Sequence, residues 1–210
     1  MKHSDLIAKV CAAAPVIPVL TIDRVEDAQP LARALIAGGL PALEITLRTD
    51  AAIEAIAAIA EVEGAMAGVG TLLTSAQVQD AKAAGAIFGV SPGATPSLIA
   101  AALKFDLPLL PGASTATEAM RLLEQGFNFQ KFFPAEAVGG ALALGSLAGP
   151  LPQITFCPTG GVTPENAKTY LALPNTLCVG GSWIAPKALV AEGAWDEITQ
   201  IACRASGLLR

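Results

Sequence analysis

The chain has 210 residues, 53% of them apolar and 15% charged, with 13 Lys and Arg against 18 Asp and Glu for a net charge of −5. That balance excludes a disordered chain and leaves no basic footprint for nucleic acid. No apolar run reaches the roughly 18 residues a bilayer crossing needs, so no membrane partner is expected, and the length suits one domain with a full core over residues 1–210.

At the N-terminus, Lys2 followed by Leu6 to Ala14 has the faint look of a signal peptide. Asp5 and Lys9 interrupt it, and Leu6, Ile7, Val10 and Ala14 keep helical spacing, so a short amphipathic helix is the better reading. Strand-like apolar runs then fall at 16–22, 42–48, 65–71, 87–91, 107–111, 128–133, 153–158 and 176–181. Helix-like spacing fills 26–37, 50–61, 75–84, 96–104, 115–125, 140–148, 164–171 and 194–207. Thr74 and the Thr163-Pro164-Glu165 run read as helix starts, while Gly38, Gly85 and Gly126 stand where helices should stop. Strands alternate with helices and no hairpin signals intervene, which predicts a parallel sheet covered by helices. Eight such units predict an α/β fold, a single (β/α)8 TIM barrel with a short N-terminal helix. A doubly wound open sheet competes, but usually has fewer strands.

Two polar anomalies interrupt the apolar runs. In 42–48, period-two alternation puts Glu44, Thr46 and Arg48 on one strand face and Leu43, Ile45 and Leu47 on the other. In 128–134, Lys131 sits among Phe129, Phe132 and Phe133, whereas Lys2, Lys9, Lys82, Lys104, Lys168 and Lys187 lie in helical or loop segments. Desolvation favours a neutral amine, and a neutral amine forms Schiff bases with carbonyls. The segment alone leaves open a lysine that snorkels to solvent or pairs with a core carboxylate. In a barrel, Glu44 and Lys131 both project into the lumen, which favours a catalytic pair over a structural one.

Barrel active sites form at the C-terminal strand ends. Here those ends carry Thr21, Arg48, Thr71, Ser91-Pro92, Pro111-Gly112, Lys131 to Pro134, Thr159-Gly160-Gly161 and Gly180-Gly181-Ser182. The last two groups suit phosphate, because glycine lets backbone N–H groups approach an anion. His3 is the only histidine, and Cys11, Cys157, Cys178 and Cys203 are scattered without a Cys-x-x-Cys. A metal centre and a Ser-His-Asp or Cys-His site are therefore not expected, and no cofactor is implied. Cys157 and Cys178 read as buried reduced thiols, so a cytoplasmic location is expected.

Seven motifs in order extend this reading: Glu44-Ile-Thr-Leu-Arg48-Thr49, Gly68-Val-Gly-Thr71, Ser91-Pro-Gly93, Pro111-Gly112, Lys131-Phe-Phe-Pro-Ala-Glu136, Cys157-Pro-Thr-Gly-Gly161 and Gly180-Gly-Ser-Trp183. Through them the chain resembles the 2-keto-3-deoxy-6-phosphogluconate (KDPG) aldolase / 4-hydroxy-2-oxoglutarate aldolase family, class I aldolases that form pyruvate. The resemblance implies Lys131 as the imine-forming nucleophile and Glu44 as general acid/base. It implies Arg48 and Thr71 at the substrate carboxylate, Pro92 and Phe133 in the apolar wall, and Thr159 on the electrophile side. Gly160, Gly161, Gly181 and Ser182 would hold phosphate, and Glu136 would be structural or solvated. The implied ligands are a phosphorylated keto-acid substrate and pyruvate, the implied pathway is Entner–Doudoroff, and the implied assembly is a homotrimer. Sister activities on 4-hydroxy-2-oxoglutarate or 2-dehydro-3-deoxy-6-phosphogalactonate use the same pair. A phosphate-binding isomerase or sensor barrel is the alternative of a different class.

Overall fold

Apolar runs flanked by turn residues become parallel strands when both sheet faces are covered, and each of the eight runs contains one. The computed structural model describes residues 3–208, so the expectation for Lys2 lies outside them. The strands are β1 Val16–Leu20, β2 Ala42–Thr46, β3 Met66–Gly70, β4 Phe88–Val90, β5 Leu109–Leu110, β6 Gly112–Ala113, β7 Phe129–Phe132, β8 Thr155–Pro158 and β9 Val179–Gly181. The helices are α1 His3–Ala12, α2 Ala28–Ala37, α3 Ala52–Ala60, α4 Ser75–Ala83, α5 Pro96–Lys104, α6 Ala116–Glu124, α7 Gly140–Ser146, α8 Ala167–Leu171, α9 Lys187–Glu192 and α10 Trp195–Ser206.

The strands form two parallel sheets rather than the single ring the sequence predicts. One has six strands in the order β5-β4-β3-β2-β1-β9, and the other has three in the order β6-β7-β8. The break falls at Pro111, between β5 and β6. Proline has no N–H to give a ladder, although its carbonyl still accepts from the Lys131 N–H at 2.8 Å. At the other margin, Phe156 and Thr159 make isolated parallel bridges to Thr176 and Gly180.

Two apolar clusters follow from strand alternation. The larger lies between sheet and helices and includes Leu43, Ile45, Val69, Phe132 and Phe156. The smaller gathers Ile17, Ala42, Phe88, Val90, Leu110, Cys157 and Cys178 against Ile7, Val10 and Cys11 of α1. Since Ala42 and Phe88 open their strands, α1 closes the N-terminal end of the sheet. The cysteines that look scattered in sequence thus converge. The neighbouring thiols of Cys11 and Cys157, together with burial, push the Cys178 thiol well above the usual range. His3 is anchored too, with Nε2 2.8 Å from Asp106 Oδ1.

Helix boundaries follow local chemistry. Thr74 and Thr115 cap α4 and α6 in reciprocal boxes with Gln77 and Glu118. Pro164 is not in the first turn of a helix, as its sequence context predicts: α8 begins at Ala167, because Asn166 Oδ1 accepts from the Thr163 N–H at 2.8 Å and holds a separate turn. α9 and the short 3-10 turn Glu136–Val138 have no counterpart among the predicted helices. α10 lies on α2 where Gly38 permits contact, since a Cβ there would sit 2.3 Å from Ala202 Cβ. No helix among the described residues is long and apolar enough to cross a membrane.

Candidate active site

β2 and β7 bring Glu44 and Lys131 together across 87 positions of sequence. Lys131 Nζ lies 3.3 Å from Glu44 Oε1, and the two residues are only 5% and 3% exposed. Neither side chain snorkels to solvent. A buried ion pair is weak as a stabiliser, because desolvation offsets most of the Coulomb gain. Room for the carboxylate comes from Gly70, the register partner of Thr46 on β3. A Cβ at Gly70 would stand 2.4 Å from Glu44 Oε1 and 2.6 Å from its Cγ. Over the ammonium stands the Phe133 ring, 5.2 Å from Nζ, within cation–π range.

Around the pair, hydroxyls line the strand ends. Thr46 is fully buried, donates to the Leu20 carbonyl at 2.8 Å and lies 3.2 Å from Thr21 Oγ1. Thr159 is buried, with Oγ1 4.0 Å from Cys157 Sγ and 3.5 Å from the Cys157 carbonyl. Gly180 faces it, and a Cβ there would lie 2.3 Å from Thr159 Oγ1. Thr71, just past β3, has φ 62°, a left-handed conformation uncommon for a β-branched residue. Strain of that kind concentrates at functional sites.

Arg48 departs from its expected place in line with Glu44 and Thr46. β2 ends at Thr46, and the Arg48 N–H turns back to the Thr46 carbonyl at 2.8 Å. The guanidinium is exposed and, among the described residues, has no carboxylate within ion-pair reach. Pro92 and Phe133 are half-buried.

The two glycine-rich ends lie side by side through the Thr159–Gly180 bridge. Gly160 and Gly161 have φ of 98° and 80°, which only glycine adopts readily. Gly181 is buried under Trp183, whereas Gly161 and Ser182 are exposed. Among the described residues, no protein acceptor meets the N–H of Gly161 or Ser182, so both are free to serve a ligand. Glu136, read from sequence as structural or solvated, accepts a hydrogen bond from the Tyr170 hydroxyl. Tyr170 is a residue the sequence does not flag. Among the described residues, no group of three or more His, Cys, Asp or Glu side chains is arranged to hold a metal ion.

A parallel α/β scaffold carrying a desolvated lysine against a carboxylate is the architecture of an imine-forming carbon–carbon lyase, a class I aldolase. The sequence pattern described as "Aldolase: KDPG and KHG aldolase" matches residues 7–201, and the chain belongs to that family. A 2-dehydro-3-deoxy-phosphogluconate aldolase of Pseudoalteromonas atlantica is 50% identical over 197 residues, covering 93% of this chain and 92% of its own. The crystal structure of the 2-keto-3-deoxy-6-phosphogluconate aldolase of Zymomonas mobilis with 3-phosphoglycerate superposes with a TM-score of 0.92 at 46% identity, covering 99% of this chain and 98% of its own. A KDPG aldolase from Legionella pneumophila, with pyruvate captured as a covalent carbinolamine, gives 0.91 at 46% identity, covering 94% of this chain and 97% of its own.

Proposed function

We propose that this chain cleaves 2-dehydro-3-deoxy-6-phosphogluconate to pyruvate and glyceraldehyde 3-phosphate through a Schiff base on Lys131. The carrying observation is the 3.3 Å contact between Lys131 Nζ and Glu44 Oε1 in a buried setting. Lys131 Nζ attacks the C2 carbonyl to give a carbinolamine, and Glu44 assists loss of water to the imine. Glu44 then takes the C4 hydroxyl proton, and the C3–C4 bond breaks with its electron pair entering the imine to form an enamine. A proton returned to C3 and hydrolysis of the imine release pyruvate. Arg48 and Thr71 hold the substrate carboxylate, the guanidinium in a bidentate grip. Pro92 and Phe133 shape the apolar wall and Thr159 faces the electrophile. Gly160, Gly161, Gly181 and Ser182 bind the phosphate. No metal and no cofactor enters these steps.

The two sheets serve as one (β/α)8 barrel over residues 1–210, with Pro111 and the Phe156–Thr176 and Thr159–Gly180 bridges at its seams; this accounts for both sheets presenting their C-terminal ends to one site. The protein works in the cytoplasm in the Entner–Doudoroff pathway. Cleavage of 4-hydroxy-2-oxoglutarate by the same pair is a second activity, supported by the family description.

The phosphate assignment is tested at Ser182. Aspartate at Gly161 or Gly181 would also disturb packing, since their Cβ positions lie 2.6 Å from Glu136 Cγ and 2.0 Å from the Trp183 ring. Ser182 is exposed, so Ser182→Asp adds charge alone. We expect KM for the phosphorylated substrate to rise by about 10–100-fold, the scale of one unfavourable charge contact, with 4-hydroxy-2-oxoglutarate little affected. Equal losses on both substrates would remove Ser182 from the phosphate site. For assembly we propose a homotrimer, a reading that rests on the family resemblance. Sedimentation should give three times the 21.2 kDa chain mass, and a species near 21.2 kDa at micromolar protein would overturn it.

A further inference from the structure

The loop that carries the proposed phosphate donors has little to order it from within. Gly160 and Gly161 are consecutive left-handed glycines, which lose more freedom on ordering than any other residue. The order is supplied from outside, largely by the Ala135-Glu136 segment. The Ala135 and Glu136 N–H groups donate to the carbonyls of Thr159 and Gly160 at 2.9 and 3.0 Å. The stem of Glu136 lies against Gly161, where a Cβ would meet Glu136 Cγ at 2.6 Å and Cβ at 2.7 Å. Asn166 adds a third tie, donating from Nδ2 to the Gly161 carbonyl at 3.1 Å.

The direction of the Glu136 carboxylate is informative. Methylene carbons, not oxygens, face Gly161, while Oε1 faces Gly140 and the hydroxyl of Tyr170. Tyr170, on α8, is 0% exposed, so its hydroxyl requires a protein partner. Burial first, and then the bond to Glu136, push the phenol pKa upward, so it remains a protonated donor. Glu136 is exposed and could hydrate freely. The bond therefore satisfies Tyr170 and, for Glu136, selects one orientation.

We propose that Tyr170 and Glu136 are positioning residues: their hydrogen bond holds the Glu136 carboxylate turned away from the Thr159–Gly160–Gly161 loop while its stem braces that loop, so that the phosphate grip depends on a glutamate being held aside. A carboxylate released from Tyr170 would swing over Gly161 and repel the dianion. The inference rests on the phosphate role proposed above.

The test uses variants of the intact protein, with KM for the phosphorylated substrate as one readout and the rate of borohydride trapping of pyruvate as the other. Glu136→Asp keeps the charge but is too short to reach Tyr170, and Tyr170→Phe removes the donor. Each should raise KM about tenfold, the scale of one lost hydrogen bond to a charged group, while pyruvate trapping stays within about twofold. Glu136→Gln can still accept from Tyr170 and carries no charge, so its KM should stay within about threefold of the parent. In the double variant Tyr170→Phe/Glu136→Gln, KM should fall back toward the parent value, which a purely structural role would not produce. Unchanged KM in Glu136→Asp, or a double variant as impaired as Tyr170→Phe, would overturn the proposal. Glu136 is exposed, so the Asp and Gln variants decide the matter even if Tyr170→Phe folds poorly. A parent protein that neither traps pyruvate nor cleaves the phosphorylated substrate would instead bring down the underlying reading of the site.

Discussion

Borohydride reduction of the protein with pyruvate should add a single lactyl group, and peptide mapping should find it on Lys131. Lys9, Lys104, Lys168 and Lys187 are exposed, Lys82 is half-buried with its ammonium donating to the Asp106 carbonyl at 2.5 Å, and none of them lies in a strand. An exposed lysine has no pocket to hold a keto acid against it, whereas Lys131 is buried under the Phe133 ring and in contact with the Glu44 carboxylate. Lys131→Met keeps an apolar stem of similar length. It should abolish the adduct and lower cleavage by on the order of 10⁵-fold or more, the scale of losing a covalent nucleophile. It also leaves Glu44 buried without its partner, so some loss of stability should accompany it. An adduct at another lysine, or undiminished turnover in Lys131→Met, would end the Schiff-base reading at this position.

Both halves of that pair are legible in the sequence because strand chemistry is local. A lysine among phenylalanines and a glutamate alternating with leucine and isoleucine are anomalies visible within seven residues. The same logic fails four residues after Glu44: Arg48 shares its parity, but the chain has already turned at Leu47, so alternation no longer applies to it. The split of the 107–111 run at Pro111 follows from the missing proline N–H, yet only the pairing of neighbouring strands reveals that it separates two sheets. α9 is too short, at six residues, to display a helical period. The meeting of Cys11, Cys157 and Cys178 depends on α1 folding under the strands, and the Glu136–Tyr170 bond spans 34 positions; no local pattern encodes either. The glycines divide the same way. Gly160 and Gly161 announce a turn by composition, whereas Gly70 looks like any small strand residue until the carboxylate beside it is seen.

Gly70 supplies a second route to Glu44, the proposed acid/base group. Glu44→Gln should leave the fold intact and still permit slow imine formation, while turnover falls by about 10²–10⁴-fold, the usual worth of a positioned proton donor and acceptor. The amide keeps the shape and hydrogen-bonding capacity of the side chain but cannot take the C4 hydroxyl proton. Gly70→Ala retains every functional side chain and adds one methyl where Glu44 Oε1 would be only 2.4 Å away, far inside contact distance. Something must move. β3 is paired on both sides, with β2 and β4, so the strand is fixed and the carboxylate yields. A displacement of about 1 Å at a reacting group is enough to cost on the order of 10²-fold. The alanine variant should therefore mimic Glu44→Gln in turnover while Lys131 remains open to borohydride trapping. If both variants turned over at near-parent rates, Glu44 would have no part in proton transfer, and its contact with Lys131 would be a structural ion pair. If Gly70→Ala lost trapping as well, the methyl would be acting on Lys131 or on the fold, and Glu44→Gln alone would separate nucleophile from acid/base.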